Sequence, residues 1–371
     1  MARADPGRVL IMTAQWYQDL YRIGSVTGVK AVVLRMALAV GVPLVGSVLL
    51  HHPAAGVAGG ATALFVTMSD IGHTGRGRLA TMFSGWVMIV LGGTLGHVLG
   101  ETPNSREVVV LACALLAGWA SGSHPGIAAV TRYFAVAAAA ATGMRFADPE
   151  ILASVAVGGV SAFAGAIVVW TLFRLPAEEN VMDWRAGVRR AFHGADAGLR
   201  YTICYAAAAA VALFAAGYLG VRHSFWATLV VLMVMRREGT ASLELTIHYA
   251  AGTMLGVAVG AALLHFVAAP VALALAATAV AALGRVGFAL SPALGYMAFT
   301  LFLLLLVRIV AVSACAIDPH LIEMRVYDVT VGCIIALVGT LAAIYPRFGP
   351  RPPAAPDSVQ SIIRPGGTSQ R

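Results

Sequence analysis

Charged residues are scarce in this sequence: they form 11% of its 371 residues, whereas hydrophobic residues form 59%. Because soluble domains carry roughly 25% charged residues, this composition excludes a soluble enzyme, a nucleic-acid binder and a disordered protein. Lysine is nearly absent, since Lys30 is the one lysine among 25 basic residues. Twelve membrane spans of ~20 residues each would use ~240 residues, which leaves no room for a separate soluble domain.

The sequence also lacks the motifs of catalysis and cofactor binding. It contains no nucleophile elbow, no phosphate-binding loop and no His-Glu-x-x-His pair. Asp318, His320 and Glu323 resemble a small metal-ligand cluster, but an ordinary polar loop is the favoured interpretation. We therefore expect no enzymatic activity, no cofactor and no metal. The cysteines form no Cys-x-x-Cys pair and are expected to be small buried hydrophobic residues: Cys113, Cys204, Cys315 and Cys333.

Long apolar runs are what this chain has in abundance. They predict an all-α, polytopic transmembrane helical bundle with ten to twelve spans. Three runs, at 54–69, 108–121 and 224–235, are near or below spanning length, so eight to eleven crossings with re-entrant segments is the alternative. The twelve runs lie at 31–50, 54–69, 79–100, 108–121, 126–144, 151–173, 200–220, 224–235, 245–267, 269–284, 292–312 and 327–345.

Basic residues are distributed unevenly around these spans. With an even number of spans, most of the 25 fall on the side that holds both termini. Because basic loops stay in the cytoplasm, both termini are expected there. By this assignment Asp70 and Asp328 lie at span ends, so no carboxylate is expected in mid-membrane to carry a proton relay. Four arginines fall on the outer side: Arg106, Arg145, Arg222 and Arg325.

An internal duplication is indicated by matched small residues. Gly85 and Gly93 recur as Gly252 and Gly260, and Pro125 recurs as Pro292, all at one constant offset. The charged loops Ile71–Arg78 and Arg236–Glu244 also correspond. Six spans return the chain to the side on which it started, so the pattern predicts two parallel six-helix repeats, at 31–173 and 200–346.

Three further segments flank these repeats. Residues 1–30 are expected to be an amphipathic segment on the cytoplasmic side, and residues 174–199 an amphipathic linker along the inner leaflet. For the linker, a solvated helix that packs on the membrane domain is an equal alternative. The tail at 347–371 is rich in Pro, Arg, Ser and Gly and is predicted to be disordered.

The second half carries the most specific motifs. Its short span begins Phe225-Trp226, its next span contains Gly252-Thr253-x-x-Gly256, and its last contains Arg325-x-x-Asp328-x-x-x-Gly332 before Tyr345-Pro346. In these motifs the chain resembles the fusaric acid resistance (FUSC) family of integral membrane transporters, in a short form without the large cytoplasmic domain. Tyr249 and Met82 stand where that family usually has an arginine.

The resemblance implies a function. It predicts export of small organic anions, aromatic carboxylic acids in particular, across the bacterial inner (cytoplasmic) membrane, with the lipid bilayer and the substrate as partners and no nucleic acid. A non-transporting structural or regulatory membrane protein, or an anion channel, is the alternative. The distantly similar plant channels are multimeric, which makes a homodimer the simplest assembly.

Candidate binding residues are the arginines within spans. Arg132 and Arg308 could bind a carboxylate through paired N–H groups, and Trp226 could stack on its aromatic ring. Arg308 could instead extend to the outer interface, and Arg132 could bond to a backbone carbonyl group or reach the inner leaflet. Five glycines are expected to serve close helix packing or to line a narrow path: Gly85, Gly93, Gly252, Gly256 and Gly260.

Overall fold

Twelve α-helices, and no strand, make up the described part of the chain in a computed structural model. The structure describes residues 28–70, 75–100, 102–123, 125–142, 149–173, 189, 198–219, 225–314 and 320–344. The expected all-α architecture is confirmed. The helices are α1 Val29–Leu49, α2 Pro53–Met68, α3 Gly75–Leu99, α4 Pro103–Ala120, α5 Pro125–Ala141, α6 Pro149–Phe173, α7 Leu199–Tyr218, α8 Phe225–Val234, α9 Gly239–Phe266, α10 Pro270–Leu290, α11 Pro292–Ser313 and α12 Leu321–Ile344.

Proline marks where many of these helices begin. It suits the first turn because its φ angle is already helical and its missing N–H would have no partner inside the helix there. Pro125 begins α5 and Pro292 begins α11, and these are the two prolines that are matched at a constant offset in the sequence. The helices that start on proline are α2, α4, α5, α6, α10 and α11.

Eight of the helices in the described part are long and apolar enough to cross a membrane: α1, α3, α6, α7, α9, α10, α11 and α12. The chain is therefore a multi-pass membrane protein with eight candidate spans. This number is below the ten to twelve spans expected and equals the lower limit of the alternative of eight to eleven crossings. Three further apolar helices are shorter: α2, α8 and residues 126–141 of α5. The short runs expected at 54–69 and 224–235 correspond to α2 and α8. The α4 helix begins with the polar stretch Asn104–Glu107, before its apolar part.

Two helix boundaries differ from the sequence-based expectation in a way that affects function. The α12 helix begins at Leu321 rather than at 327, and α10 continues to Leu290 rather than ending at 284. Arg325 and Arg285 therefore lie inside helices instead of in loops, and Asp328 is two turns into α12 rather than at a span end. An isolated charge lowers hydropathy without breaking helical hydrogen bonds, so hydropathy misplaced these ends.

Contacts between helices follow the same order in the two halves. In the first half α1, α2 and α6 contact one another, and α5 packs against α3 and α4. In the second half α7, α8 and α12 contact one another, and α11 packs against α9 and α10. The halves meet where α1 contacts α10 and α4 contacts α7, and also where α2 contacts α11 and α5 contacts α8.

The glycines allow the closest of these crossings. A Cβ atom at Gly252 would lie 2.3 Å from the Ala293 carbonyl oxygen of α11, and one at Gly256 would lie 2.6 Å from that of Met297. On α3, a Cβ at Gly96 would lie 2.2 Å from the Ala138 carbonyl oxygen of α5. Small residues therefore allow α9 to approach α11 and α3 to approach α5 at the backbone.

The other glycines singled out by the sequence also lie at buried positions. A Cβ at Gly85 would lie 2.5 Å from Ser69 Oγ, and one at Gly260 would lie 2.8 Å from Leu304 Cδ1. Gly93 is buried on α3. The segments expected at 1–30 and 174–199 lie almost wholly outside the described residues, and the tail at 347–371 lies wholly outside them.

Candidate functional site

A group of arginines and tyrosines lies at the end of the bundle where α8 ends and α9 begins, called here the α8–α9 end. Arg132 of α5 and Arg236 of the α8–α9 loop are both half-buried there. Burial, together with the positive charge of Arg132, lowers the pKa of Arg236 to about 10. Tyr201, Tyr205 and Tyr296 are buried around the two charges. These five residues are called the arginine–tyrosine cluster below.

The tyrosines of α7 hold the Arg236 loop in place. The last carbonyl groups of a helix have no partner inside it. Tyr205 Oη donates to the Leu232 carbonyl oxygen at 3.0 Å, and Tyr201 Oη donates to that of Met235 at 3.2 Å. The two rings stack with centroids 5.6 Å apart. Paired tyrosines one turn apart on α7 thus fix the end of α8 and the position of Arg236.

Among the residues that the structure describes, no carboxylate compensates the charges of this cluster. Within the described part of the chain, no ion pair involves Arg132, Arg236 or Arg285. Arg236 Nη1 is buried without a hydrogen-bond partner there. Arg285 is exposed at the end of α10 and adds a third positive charge near Tyr133. Neighbouring guanidinium groups repel each other, and an anion bound between them would relieve that repulsion while accepting their N–H groups.

At the same end of the bundle, the first half holds its arginines in an ion-pair network. Arg78 Nε and Nη2 donate to Asp70 Oδ1 and Oδ2 at 2.8 and 2.7 Å, and Arg35 also bonds to Asp70. Burial alone would raise the pKa of Asp70, but the hydrogen bonds and charges of Arg78 and Arg35 lower it below its usual range. Arg35 Nη2 also contacts Met82 Sδ at 3.0 Å. In the first half, therefore, a carboxylate of the protein itself pairs with the arginines.

A second arginine site lies deeper in the bundle. Arg325 of α12 has no exposed surface, and its guanidinium carbon lies 4.8 Å from the centroid of the Trp226 ring. Its Nη2 donates to Tyr249 Oη at 3.1 Å. Because α8 is about 15 Å long, Trp226 in its first turn lies roughly that distance from the α8–α9 end. This buried group, with Asp328 one turn along α12, is called the Arg325 site.

Two tyrosines connect the Arg325 site to the arginine–tyrosine cluster. The rings of Tyr249 and Tyr296 lie 4.6 Å apart, and Tyr296 interacts electrostatically with Arg236. The Tyr249 hydroxyl group in turn accepts a hydrogen bond from the Arg325 guanidinium group. The buried side chains from Arg236 to Arg325 are therefore polar and contiguous.

The predicted binding residues lie at three places along the bundle. Arg132 belongs to the arginine–tyrosine cluster, and Trp226 lies beside Arg325 with 3% of its surface exposed. Arg308 of α11 is half-buried, and its Nε has no hydrogen-bond partner in the described residues. It lies sixteen residues into α11, about 24 Å from the α8–α9 end.

Sequence reasoning missed Arg236, Arg325 and Asp328. Arg236 was assigned to an inner loop, Arg325 to an outer loop and Asp328 to a span end. A signal for the α12 pair was present in the sequence: Arg325 and Asp328 are three residues apart, a spacing that places both on one face of a helix.

This fold defines a polytopic α-helical membrane protein, and comparison with known families makes the assignment narrower. Residues 209–339 match the family described as fusaric acid resistance protein-like, so this part of the chain is similar to that family. The match includes α8, α9 and the Arg-x-x-Asp motif of α12, and it confirms the resemblance seen in these motifs. The family is associated with transport and efflux and is generally non-enzymatic. No curated protein and no solved structure matches the chain.

Proposed function

We propose that this protein exports small organic anions, aromatic carboxylates in particular, across the bacterial inner membrane. The observation that carries the proposal is the arginine–tyrosine cluster, where Arg132 and Arg236 interact without a carboxylate partner in the described residues. The family match supports transport, and the cluster supports an anionic substrate. A cation exporter would instead present acidic residues at such a position.

The substrate carboxylate binds between Arg132 and Arg236. A guanidinium group can donate two parallel N–H bonds to a carboxylate, and Arg236 Nη1 is available for one of them. The route then follows Tyr296 and Tyr249 to Trp226, whose ring stacks on an aromatic substrate when the bundle opens. Arg308 lies near the far end of the route and attracts the anion outward.

A duplication of six helices accounts for the position of this route. The helix pairs in the two halves correspond, as do Gly85 with Gly252 and Gly93 with Gly260. Residues 31–173 and 200–346 are then two repeats related by an axis along the membrane normal. The contacts of α5 with α8 and of α2 with α11 lie between these repeats, and Arg132 is on that boundary.

The α8–α9 end faces the cytoplasm in this proposal, because Arg35, Arg78, Arg236 and Arg285 are concentrated there. We expect a single cysteine at Glu238 to resist a membrane-impermeant thiol reagent in intact cells, and one at Leu50 to react. Both positions are exposed, so accessibility within the protein is matched. Each variant is compared with the parent protein to subtract labelling of the native cysteines. Labelling of Glu238→Cys without lysis would contradict the assignment.

The function is tested by direct flux. Purified protein in liposomes is expected to move a labelled aromatic carboxylate down an imposed gradient well above protein-free vesicles, and to leave an aromatic amine cation at the background rate. The arginines attract the first compound and repel the second. Absence of carboxylate flux in vesicles that contain correctly inserted protein would favour the non-transporting alternative.

A further inference from the structure

Asp328 is a buried carboxyl group without hydrogen-bond donors. It has no exposed surface, and neither side-chain oxygen has a partner in the described part of the chain. Burying an ionised carboxylate without donors is strongly unfavourable, whereas the neutral carboxylic acid is tolerated. Asp328 therefore has a physical reason to hold a proton, which the sequence-based placement at a span end did not suggest.

Only part of the hydrogen-bonding capacity of the Arg325 guanidinium group is used. Its Nη2 is bonded to Tyr249, but Nε and Nη1 are buried and have no partner in the described residues. Asp328 follows one turn later on the same helix, yet no ion pair within 4.0 Å joins the two side chains. Two guanidinium nitrogens thus remain able to donate to an anion.

In the described part of the chain, few other ionisable groups lie near this pair. The α9 helix contributes Tyr249, which interacts with Asp328, and α8 contains no titratable residue. On α7, Tyr218 is exposed, and the other titratable residues lie in its first two turns. A Cβ atom added at Gly339 of α12 would contact Ala208, so the first two turns of α7 lie at the level of Gly339 or beyond it. Asp328 is eleven residues from Gly339, which is about 16 Å along α12.

The remaining titratable residues near this level are on α9 and α12. His248 of α9 is buried, and its Nδ1 is 2.9 Å from the carbonyl oxygen of Glu244 in its own helix. On α12, Cys333 is buried, and Glu323 and Tyr327 are exposed. His248 is thus the group to exclude in any test of pH dependence.

We propose that Arg325 is a second anion-binding site in the chain and that proton binding to Asp328 controls it. When Asp328 is ionised, its negative charge neutralises the field of Arg325 and repels an entering anion. When Asp328 takes up a proton from water, Arg325 Nε and Nη1 are available to bind the anion, beside the Trp226 ring. Anion and proton therefore bind together, and lower pH strengthens anion binding.

This inference rests on the proposed function only for the route by which the anion arrives, since binding can be measured without transport. The probe is benzenesulfonate, which keeps its negative charge throughout the range tested. Its affinity for the full-length protein in detergent is measured at about pH 8 and about pH 5.5. One linked proton changes affinity by up to about tenfold per pH unit, so wild-type protein is expected to bind roughly tenfold more tightly at the lower pH.

Two substitutions identify the groups responsible. Asp328→Asn imitates the protonated acid and is expected to bind tightly at both pH values, with less than about a twofold difference. Arg325→Gln is expected to lose the pH-dependent binding and to keep the pH-independent binding at Arg132 and Arg236, because arginine stays charged throughout this range. His248→Gln is expected to behave as wild type.

The outcomes separate the two proposals. Equal wild-type affinity at both pH values overturns the inference, whatever the variants do, and so does an unchanged pH response in Asp328→Asn. A pH response that disappears in His248→Gln also overturns it. If binding follows Asp328 but liposomes show no flux, the proposed transport function is wrong while the proton-controlled site stands.

Discussion

Arg236→Gln is expected to reduce transport of an aromatic carboxylate by about tenfold or more while the protein still inserts. Hydrogen bonds to charged groups contribute about 1.5–3 kcal/mol, and ~1.4 kcal/mol corresponds to a factor of ten. Arg236 is half-buried beside Arg132, and its Nη1 has no partner among the described residues, so glutamine removes both the charge and a donor. Initial rates of flux in liposomes, with equal amounts of inserted protein, provide the measurement.

Arg237→Gln is the matched control for this experiment. Arg237 is the next residue in the same loop, carries the same charge and is exposed. Its substitution is expected to leave the flux within about twofold of wild type, because exposed charges are screened by salt. Arg132→Gln should resemble Arg236→Gln. If the two arginines bind one anion, the fold-reduction in flux of the double variant should be smaller than the product of the fold-reductions of the two single variants. Wild-type flux in Arg236→Gln would refute the assignment of this site.

Asp70→Asn is expected to destabilise the protein by up to about 3 kcal/mol, because it leaves Arg35 and Arg78 without their shared carboxylate. This value is the lower end of the destabilisation expected when a buried ion pair is broken, because the Arg78 side chain is 34% exposed and thus partly hydrated. Unfolding of the purified protein in detergent provides the measurement. Glu323→Gln removes a carboxylate whose side chain is 68% exposed and is expected to change stability by less than about 0.5 kcal/mol.

The pH dependence of this effect follows from the lowered pKa of Asp70. A carboxyl group with a lowered pKa stabilises the fold at every pH above its unfolded value of about 4, and this stabilisation is lost as pH falls through the lowered value. The difference between wild type and Asp70→Asn should therefore be the same at about pH 5 and about pH 8. A difference that vanishes by about pH 5 would show that Arg35 and Arg78 do not hold this carboxylate ionised.

Several features of the protein could be predicted from local patterns alone. Scarce charge and long apolar runs predicted a helical membrane protein, and the runs at 126–144 and 292–312 predicted where α5 and α11 begin. The Trp-led short span and the Arg-x-x-Asp motif indicated the family. Arg132 was identified because an arginine inside an apolar run requires a partner or a cavity. Each of these inferences depends on a few neighbouring residues or on a spacing along one helix.

The meeting of residues distant in the chain was decided only by the tertiary structure. Arg132 and Arg236 are on different elements in different halves, and no local pattern indicates that their charges interact. Hydropathy likewise placed Arg325 outside the last span and Asp328 at its end, because it measures each residue's own preference for water. In the folded bundle the Trp226 ring and Tyr249 hydroxyl contact Arg325 and make its burial tolerable. Tertiary packing supplied these contacts, and with them the position of the buried charges.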